Sequence, residues 1–266
     1  MTSATPHGDP SDRVTRAYRE AQTVSSTEVR ASDAELSELA GNWKDEAIPD
    51  LQRSVADVQL SNLARGVVDP VFASLAEALR RVEEPRFSIL DAACASGYYS
   101  EVIRTLDDRP IAYTGCDYSA AMIDSARAHY PDLPFSVQDL TALTLADLSF
   151  DVVLLAGVLE HIPEYRRAIG ESTRVAGRYV IVHRCPTTTG RVHERTIGTQ
   201  YNITTPRTFF SLPLLRSEFS AAGFELIGTV EVYPKRVSWR RRAGELATGW
   251  RRHDSRGTFT LVFRRR

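Results

Sequence analysis

The sequence predicts an α/β protein: a doubly wound, mostly parallel sheet carrying an N-terminal helical extension. Three observations predict it. Strand-like apolar runs alternate five times with amphipathic helical stretches between residues 86 and 183. The run FDVVLLA (150–156) is apolar throughout, as a central parallel strand buried on both faces should be. Two further strand-like runs, near 224–233 and 258–264, close the pattern, and no internal repeat interrupts it.

The elements follow in order. Residues 1–32 are rich in Ser, Thr, Ala and charge without sustained periodicity, and are expected to form a flexible N-terminal arm. Residues 33–82 read as a helical cap or lid, with Asp33 expected at an N-cap. Leu60, Leu63 and Ala64 share one helical face, and Val71, Leu75, Leu79 and Val82 share another after the helix opening Asp69-Pro70. Residues 83–266 then form the main domain. RFSILD (86–91) is its first strand, and a helix from Gly97 turns Tyr99, Val102, Ile103 and Leu106 inward. The second strand covers 111–117. Ser119 can cap a helix whose inner face is Met122, Ile123, Ala126 and Tyr130, and Pro131 stops it. A third strand covers 134–138, the fourth 150–156, and RYVIVH (178–183) is the fifth, after a helix opened by Pro163. Residues 184–210, polar and Thr-rich, are expected to be a long substrate loop. Leu212, Leu215, Phe219 and Ala222 mark a last helix ended by Gly223, and residues 234–256 are a basic insertion between the closing strands.

Composition excludes several classes. The chain has 266 residues, 42% of them hydrophobic and 25% charged, which is ordinary for a globular protein. A net charge of −1 removes any global electrostatic case for nucleic acid. Cys94, Cys116 and Cys185 are odd in number and lack CxxC spacing, which argues against a disulfide framework or a zinc site. The apolar run 152–159 is far shorter than the ~20 residues of a membrane span, and no secretory signal is visible. A reduced, cytoplasmic setting is expected. The excess of Arg over Lys (only Lys44 and Lys235) hints at a bacterial source with a GC-rich genome.

Ligands of such sheets bind outside the carboxyl ends of the central strands. There the first crossover reads Asp91-Ala92-Ala93-Cys94-Ala95-Ser96-Gly97. Small residues let backbone approach a ligand, and the helix start that follows can meet an anion, although such a turn also suits tight packing. Asp117 ends the second strand, where a carboxylate can accept from two ribose hydroxyls; it also suits a cap before Ser119. Asp139 follows the third strand, where an acid can accept from an adenine amino group while Leu140 packs on the ring; a turn former is the plainer role.

The runs ILDAACASGYYSEVIR, YTGCDYSAAMIDSAR, VQDL and FDVVLLAGVLEHI resemble those of class I S-adenosylmethionine (SAM)-dependent methyltransferases, nearest to small-molecule enzymes with Leu-Glu-His after strand four. The resemblance covers residues 86–183 well. It implies a seven-stranded sheet of order 3-2-1-4-5-7-6 with strand 7 antiparallel. It implies that Asp91 and the loop Ala93, Cys94, Ala95, Gly97 hold the methionine part of SAM, beside Ala156. Asp117 would bind the ribose, with Tyr118 and Met122 flanking the adenine and Asp139 and Leu140 completing its site. The family's loop is usually Asp-x-Gly-x-Gly-x-Gly; here Ala93 and Ala95 replace two glycines and only Gly97 remains. Were positive φ required at either position, alanine would cost roughly 1 kcal/mol.

For oxygen acceptors methyl transfer often needs a general base. His161 in the Leu-Glu-His segment and His183 at the end of the fifth strand are the candidates, each with a structural role as the alternative. His193 and Tyr201 in the long loop, and Trp43 in the helical cap, are expected to touch a small-molecule acceptor. The polar character of 184–210 suits a hydroxylated molecule, such as a sugar or a secondary metabolite. The sequence Ala-Gly-Val-Leu at 156–159 departs from the Asn/Asp-Pro-Pro-aromatic tetrapeptide of many base-amine methyltransferases, which disfavours a nucleic-acid acceptor. Residues 91–97 also lack the G-x-G-x-x-G of nicotinamide dehydrogenases. The rival reading is a catalytically weak or inactive scaffold whose Arg-rich C-terminal region, with Trp239 and Trp250, binds nucleic acid or another anionic partner.

Overall fold

The computed structural model describes residues 32–188, 190–191, 193–233 and 256–266. The expected arm 1–32 (save Ser32) and the basic insertion 234–256 (save Arg256), with Trp239 and Trp250, lie outside the described residues.

The helical cap consists of α1 (Asp33–Ala40), a 3-10 turn (Gly41–Lys44), α2 (Ile48–Ala64) and α3 (Pro70–Leu79). Ser32, not Asp33, is the N-cap of α1. Its hydroxyl accepts the Glu35 amide at 3.3 Å while the Glu35 carboxylate accepts the Ser32 amide at 2.7 Å, a reciprocal capping box that moves the helix start by one residue. Asp69 caps α3 as expected, accepting the Val71 amide at 2.8 Å ahead of Pro70.

The main domain then runs β1 (Phe87–Ala92), α4 (Tyr99–Leu106), β2 (Ile111–Asp117), α5 (Ala120–His129), β3 (Phe135–Val137), β4 (Phe150–Ala156), a 3-10 turn (Leu159–His161), α6 (Tyr165–Val175) and β5 (Ala176–Thr188). After it come β6 (Glu194–Gln200), β7 (Ile203–Ser211), α7 (Leu212–Ala221), β8 (Phe224–Glu231) and β9 (Gly257–Arg265). β3, β2, β1, β4 and β5 lie side by side in parallel. β9 adds antiparallel to β5, and β8 antiparallel to β9. With β9 and β8 counted as the last two expected strands, this is the 3-2-1-4-5-7-6 order.

One expectation is corrected. Residues 184–210 are not a loop: β5 continues to Thr188, and β6 and β7 form an antiparallel hairpin whose last residues pair with the end of β5. The two-residue turn is Tyr201-Asn202, both at positive φ (48° and 63°), the backbone that matches strand twist in a tight hairpin. Its threonines are β-branched strand formers on a partly exposed ribbon, and their polarity hides the strands.

Alternation along the central strands divides the core. Ile89, Val152, Leu154 and Ile181 face α2 to α5; Leu90, Val153, Leu155, Val180 and Val182 face α6 and α7. All are essentially unexposed. Each such side chain contributes about 1.5–3 kcal/mol of burial, and together they hold the carboxyl ends of β1, β2 and β4 at one edge. The site is built there.

Candidate active site

A cavity of about 220 Å³ opens at that edge, between the strand ends, the helical cap and the β6–β7 turn. Its floor is the crossover after β1. Ala93, Ala95 and Gly97 all take positive φ, at 68°, 49° and 75°. The loop therefore keeps the backbone of a glycine-rich turn with alanines at two positions, and each alanine carries a left-handed strain of about 1–2 kcal/mol. Gly97 cannot be exchanged so easily, because a Cβ there would lie 2.8 Å from the Phe135 ring and 3.2 Å from Ala126.

Two buried acids flank the loop. Asp91 is fully buried beneath it rather than in the cavity wall, and Tyr113 donates to its Oδ2 at 2.7 Å. Its Oδ1 is buried with no hydrogen-bond partner among the described residues. Burial pushes its carboxyl up to about 7, against the Tyr113 hydrogen bond and the Arg184 charge, with Asp117 adding repulsion. Asp117 lines the cavity; its Oδ2 accepts the Ala95 amide at 3.0 Å and its Oδ1 the Ser119 amide at 2.9 Å. Burial raises it to about 6 despite those bonds. Cys94 also lines the cavity, and burial holds its thiol well above the ordinary range, so it is inert packing.

Tyr118, Met122, Leu140 and Ala156 line the same cavity, as does Asp139, whose Oδ1 also accepts the amide and the hydroxyl of Thr141 at 2.8 Å. Turn former and wall residue are one role here. The donor set suits a nucleoside with an amino-acid tail. Asp117 keeps lone pairs for ribose hydroxyls, apolar Met122 and Leu140 suit a base, and the partnerless Asp91 Oδ1 suits an ammonium-bearing tail over the loop.

The cap closes the other side. Trp43 sits edge-on to His161 (4.9 Å) and to Tyr201 (6.1 Å), so three candidates from distant segments meet in one wall. The Trp43 Nε1 is buried without a partner. The cap is tied across the cavity mouth by Tyr118 Oη to Ala40 O (2.6 Å), Asn42 Nδ2 to Thr204 O (2.7 Å) and Ser37 Oγ to Glu164 (3.1 Å). Below it, Ser96 donates to the buried Gln52 at 2.5 Å.

The histidines separate. His161 lines the cavity, and its Nδ1 lies 2.9 Å from the Pro206 carbonyl. A carbonyl only accepts, so Nδ1 carries the proton and the lone pair sits on Nε2. Burial lowers its pKa, keeping the ring neutral near pH 7. His183 is not in the wall. It is unexposed, behind Tyr99, with Nδ1 2.8 Å from Thr260 Oγ1, which lies 2.9 Å from Ser74 Oγ. It joins β5 to β9 and α3 and is corrected to a core residue. His193 is corrected likewise: it accepts the Ser211 amide at 3.0 Å and packs between Tyr165 and Phe210, outside the cavity lining. In both cases the side chain serves the packing of a strand end, a demand that sequence spacing does not reveal.

Among the wall residues that escape sequence reading are Gly157 and Arg184. Gly157 takes φ +63°, and a Cβ there would meet the Arg184 guanidinium, 2.8 Å from Cζ. Arg184 takes φ +48° within a register shift between Val182 and Cys185, a bulge of the kind that re-aims a side chain. A cation directly after RYVIVH, the run expected as the fifth strand, was the available signal.

Residues 90–179 match the family model described as methyltransferase domain. A demethylmenaquinone methyltransferase of Renibacterium salmoninarum is 32% identical over 120 residues, 44% of this chain and 48% of that protein. An S-adenosylmethionine-dependent methyltransferase from Methanosarcina mazei superposes with a TM-score of 0.51 at 16% identity, over 70% of this chain and 96% of that one. The [4+2]-cyclase SpnF gives 0.50 at 23% identity, over 72% and 79%. The chain spans about half the length, or less, of the curated relatives it matches. Residues 90–179 thus match a methyltransferase domain, in keeping with the resemblance to SAM-dependent methyltransferases read from the sequence. Among the described residues no helix is long and apolar enough to cross a membrane.

Proposed function

We propose that the protein transfers a methyl group from SAM to a hydroxyl oxygen of a small molecule. A cyclase on the same fold means that the fold alone does not decide the chemistry. The observation that carries the reading is one continuous cavity. It joins the Asp117–Met122–Leu140 end, suited to an adenosyl group, to the Trp43–His161–Tyr201 end, suited to an acceptor. The aromatic wall fits a flat or hydroxylated molecule, in keeping with a relative named as a demethylmenaquinone methyltransferase.

Bound over the Ala93–Gly97 loop, SAM supplies a methyl group on a positively charged sulfur. Asp91 and Asp117 set the position of the ligand. Trp43 and Tyr201 cover the acceptor end and exclude water. His161, with its proton fixed on Nδ1, offers Nε2 to take the acceptor hydroxyl proton. Positioning of two bound reactants supplies about 7–11 kcal/mol, and a base adds about 10²–10⁴-fold.

The test has two stages. Calorimetric titration with SAM and S-adenosylhomocysteine (SAH) is expected to show binding that Asp117→Ala removes. Transfer of labelled methyl from SAM is then measured across hydroxylated acceptors. Wild-type protein that binds neither SAM nor SAH removes the reading.

A further inference from the structure

We infer that Gln52, on the cap helix α2, binds the carboxylate of the cofactor's amino-acid tail, so that the cap reads whether a bound nucleoside carries that tail; this rests on the methyltransferase reading of the cavity.

Gln52 interrupts an apolar face. Ile48, Ala56, Leu60 and Leu63 lie on the buried side of α2, and Gln52 shares that side at 7% exposure. A buried amide is costly unless its polar ends find partners. One end has its partner: Ser96, itself unexposed within the loop after β1, places Oγ 2.5 Å from Gln52 Oε1. That separation falls in the range of O–H···O bonds and below that of N–H···O bonds, so the hydroxyl donates and the amide oxygen accepts. The amide nitrogen, Nε2, is left with its N–H donors directed away from Ser96. It makes no hydrogen bond among the described residues, yet it is not sealed off as a closed-in atom would be. Gln52 lines the cavity together with Ala93, Cys94 and Ala95, so those donors open onto the loop where the tail is expected.

The loop has already engaged much of its own donor capacity. The Cys94 amide donates to the Cys116 carbonyl at 2.8 Å, the Ala95 amide to Asp117 at 3.0 Å and the Gly97 amide to the Cys94 carbonyl at 2.9 Å. The Ser96 hydroxyl is spent on Gln52. Arg184, in the same wall, acts on the Asp69 and Asp91 carboxylates. A zwitterionic tail over this loop thus meets acids on the sheet side, which suit its ammonium, and an amide donor on the cap side, which suits its carboxylate. Gln52 supplies that donor, and Ser96 is the positioning residue that holds it outward. A hydrogen bond to an ionised acceptor is about twice as strong as a neutral one, so a single contact of this kind can discriminate between ligands.

SAH and its decarboxylated form, 5′-deoxy-5′-(3-aminopropylthio)adenosine, differ only in that carboxylate. Both are titrated by calorimetry into the full chain. Wild type is expected to bind SAH at least about tenfold more tightly. Gln52→Glu keeps an oxygen for Ser96 and turns the donor into a repelling carboxylate. It should abolish or invert the preference, while the decarboxylated ligand binds no more weakly than to wild type. Gln52→Leu should abolish the preference and Ser96→Ala reduce it; Gln52→Glu decides the matter should loss of the Ser96 partner unfold Gln52→Leu. A preference that survives in Gln52→Glu, or a wild type without one, overturns the inference and leaves the methyltransferase reading standing. Equal weakening of both ligands in Gln52→Glu assigns the side chain to packing and overturns the inference as well. Binding of neither ligand to wild type removes the methyltransferase reading and the inference together.

Discussion

The Asp117 carboxylate accepts the Ala95 amide at 3.0 Å, so the loop after β1 and the acid after β2 form one mechanical unit. Asp117 is at once the anchor of that loop and a residue of the cavity wall, where it is proposed to meet the ligand. Asp117→Ala therefore removes both roles, and Asp117→Asn retains an acceptor for the loop amide. The alanine variant is expected to lose about 1–3 kcal/mol of stability and the asparagine variant less, with SAH affinity reduced in both. Urea unfolding alongside calorimetry separates the two effects; equal stability of both variants and wild type would show that the bond to Ala95 is inconsequential.

Asp91 and Asp117 have carboxyls raised by burial to about 7 and about 6. Both lie above the ordinary value of about 3.9 in an unfolded chain. The folded protein thus holds protons that the unfolded chain has released. Stability from these groups is present below about pH 4 and is lost as pH rises through about 7, on the order of a few kcal/mol. A ligand bringing an ammonium group toward Asp91 favours its ionised form, so SAH should bind more tightly as pH rises from about 6 to about 8. Asp91→Asn should flatten that slope. A wild-type affinity that does not change with pH would contradict the assignment.

Ala93 and Ala95 are held in left-handed backbone that glycine adopts freely. Each change to glycine relieves about 1–2 kcal/mol of strain and forfeits about 0.5–1 kcal/mol through the freer unfolded chain. The double variant Ala93→Gly, Ala95→Gly is expected to be about 1 kcal/mol or more stabler, with SAH binding retained. Thermal unfolding of the two single variants and the double variant tests this, and a lowered Tm in all three would count against it.

His161 should show one neutral tautomer, protonated on Nδ1, because the Pro206 carbonyl 2.9 Å away can only accept. Long-range ¹H–¹⁵N NMR at pH 7 reads this directly. Its titration is expected below the ordinary value of about 6.5 for histidine. A signal protonated on Nε2 would withdraw the imidazole as a base at that atom.

Much of the fold could be read from residues alone, because the signals were local. The apolar run of β4, the Asp69-Pro70 opening of α3 and the Ser119 cap of α5 each carry their own cause. Ala93, Asp117 and Ala156, which line the cavity, were legible for the same reason, since each lies at or beside a strand end. The β6–β7 hairpin was not legible, because its strands are held by pairing with each other and with β5, and Asn202 is followed by Ile203 rather than by glycine. Distinguishing His161 from His183 was equally beyond the sequence. Both were expected at the pocket end of a central strand, but β5 runs on past His183 to Thr188 and buries it within the sheet. Arg184 and Gly157 were missed because their significance lies in each other.

Among the described residues, three hydrogen bonds tie the cap over the cavity mouth, each contributing about 1 kcal/mol net. Their breakage leaves the main sheet intact, so the mouth can open on a timescale far shorter than global unfolding. Among these ties, Tyr118 to Ala40 joins the cap to a residue of the cavity wall, so its strength is expected to govern how fast a nucleoside bound there would leave. Weakening that single contact is expected to speed exchange of spent product while leaving the chemistry proposed for His161 unaltered.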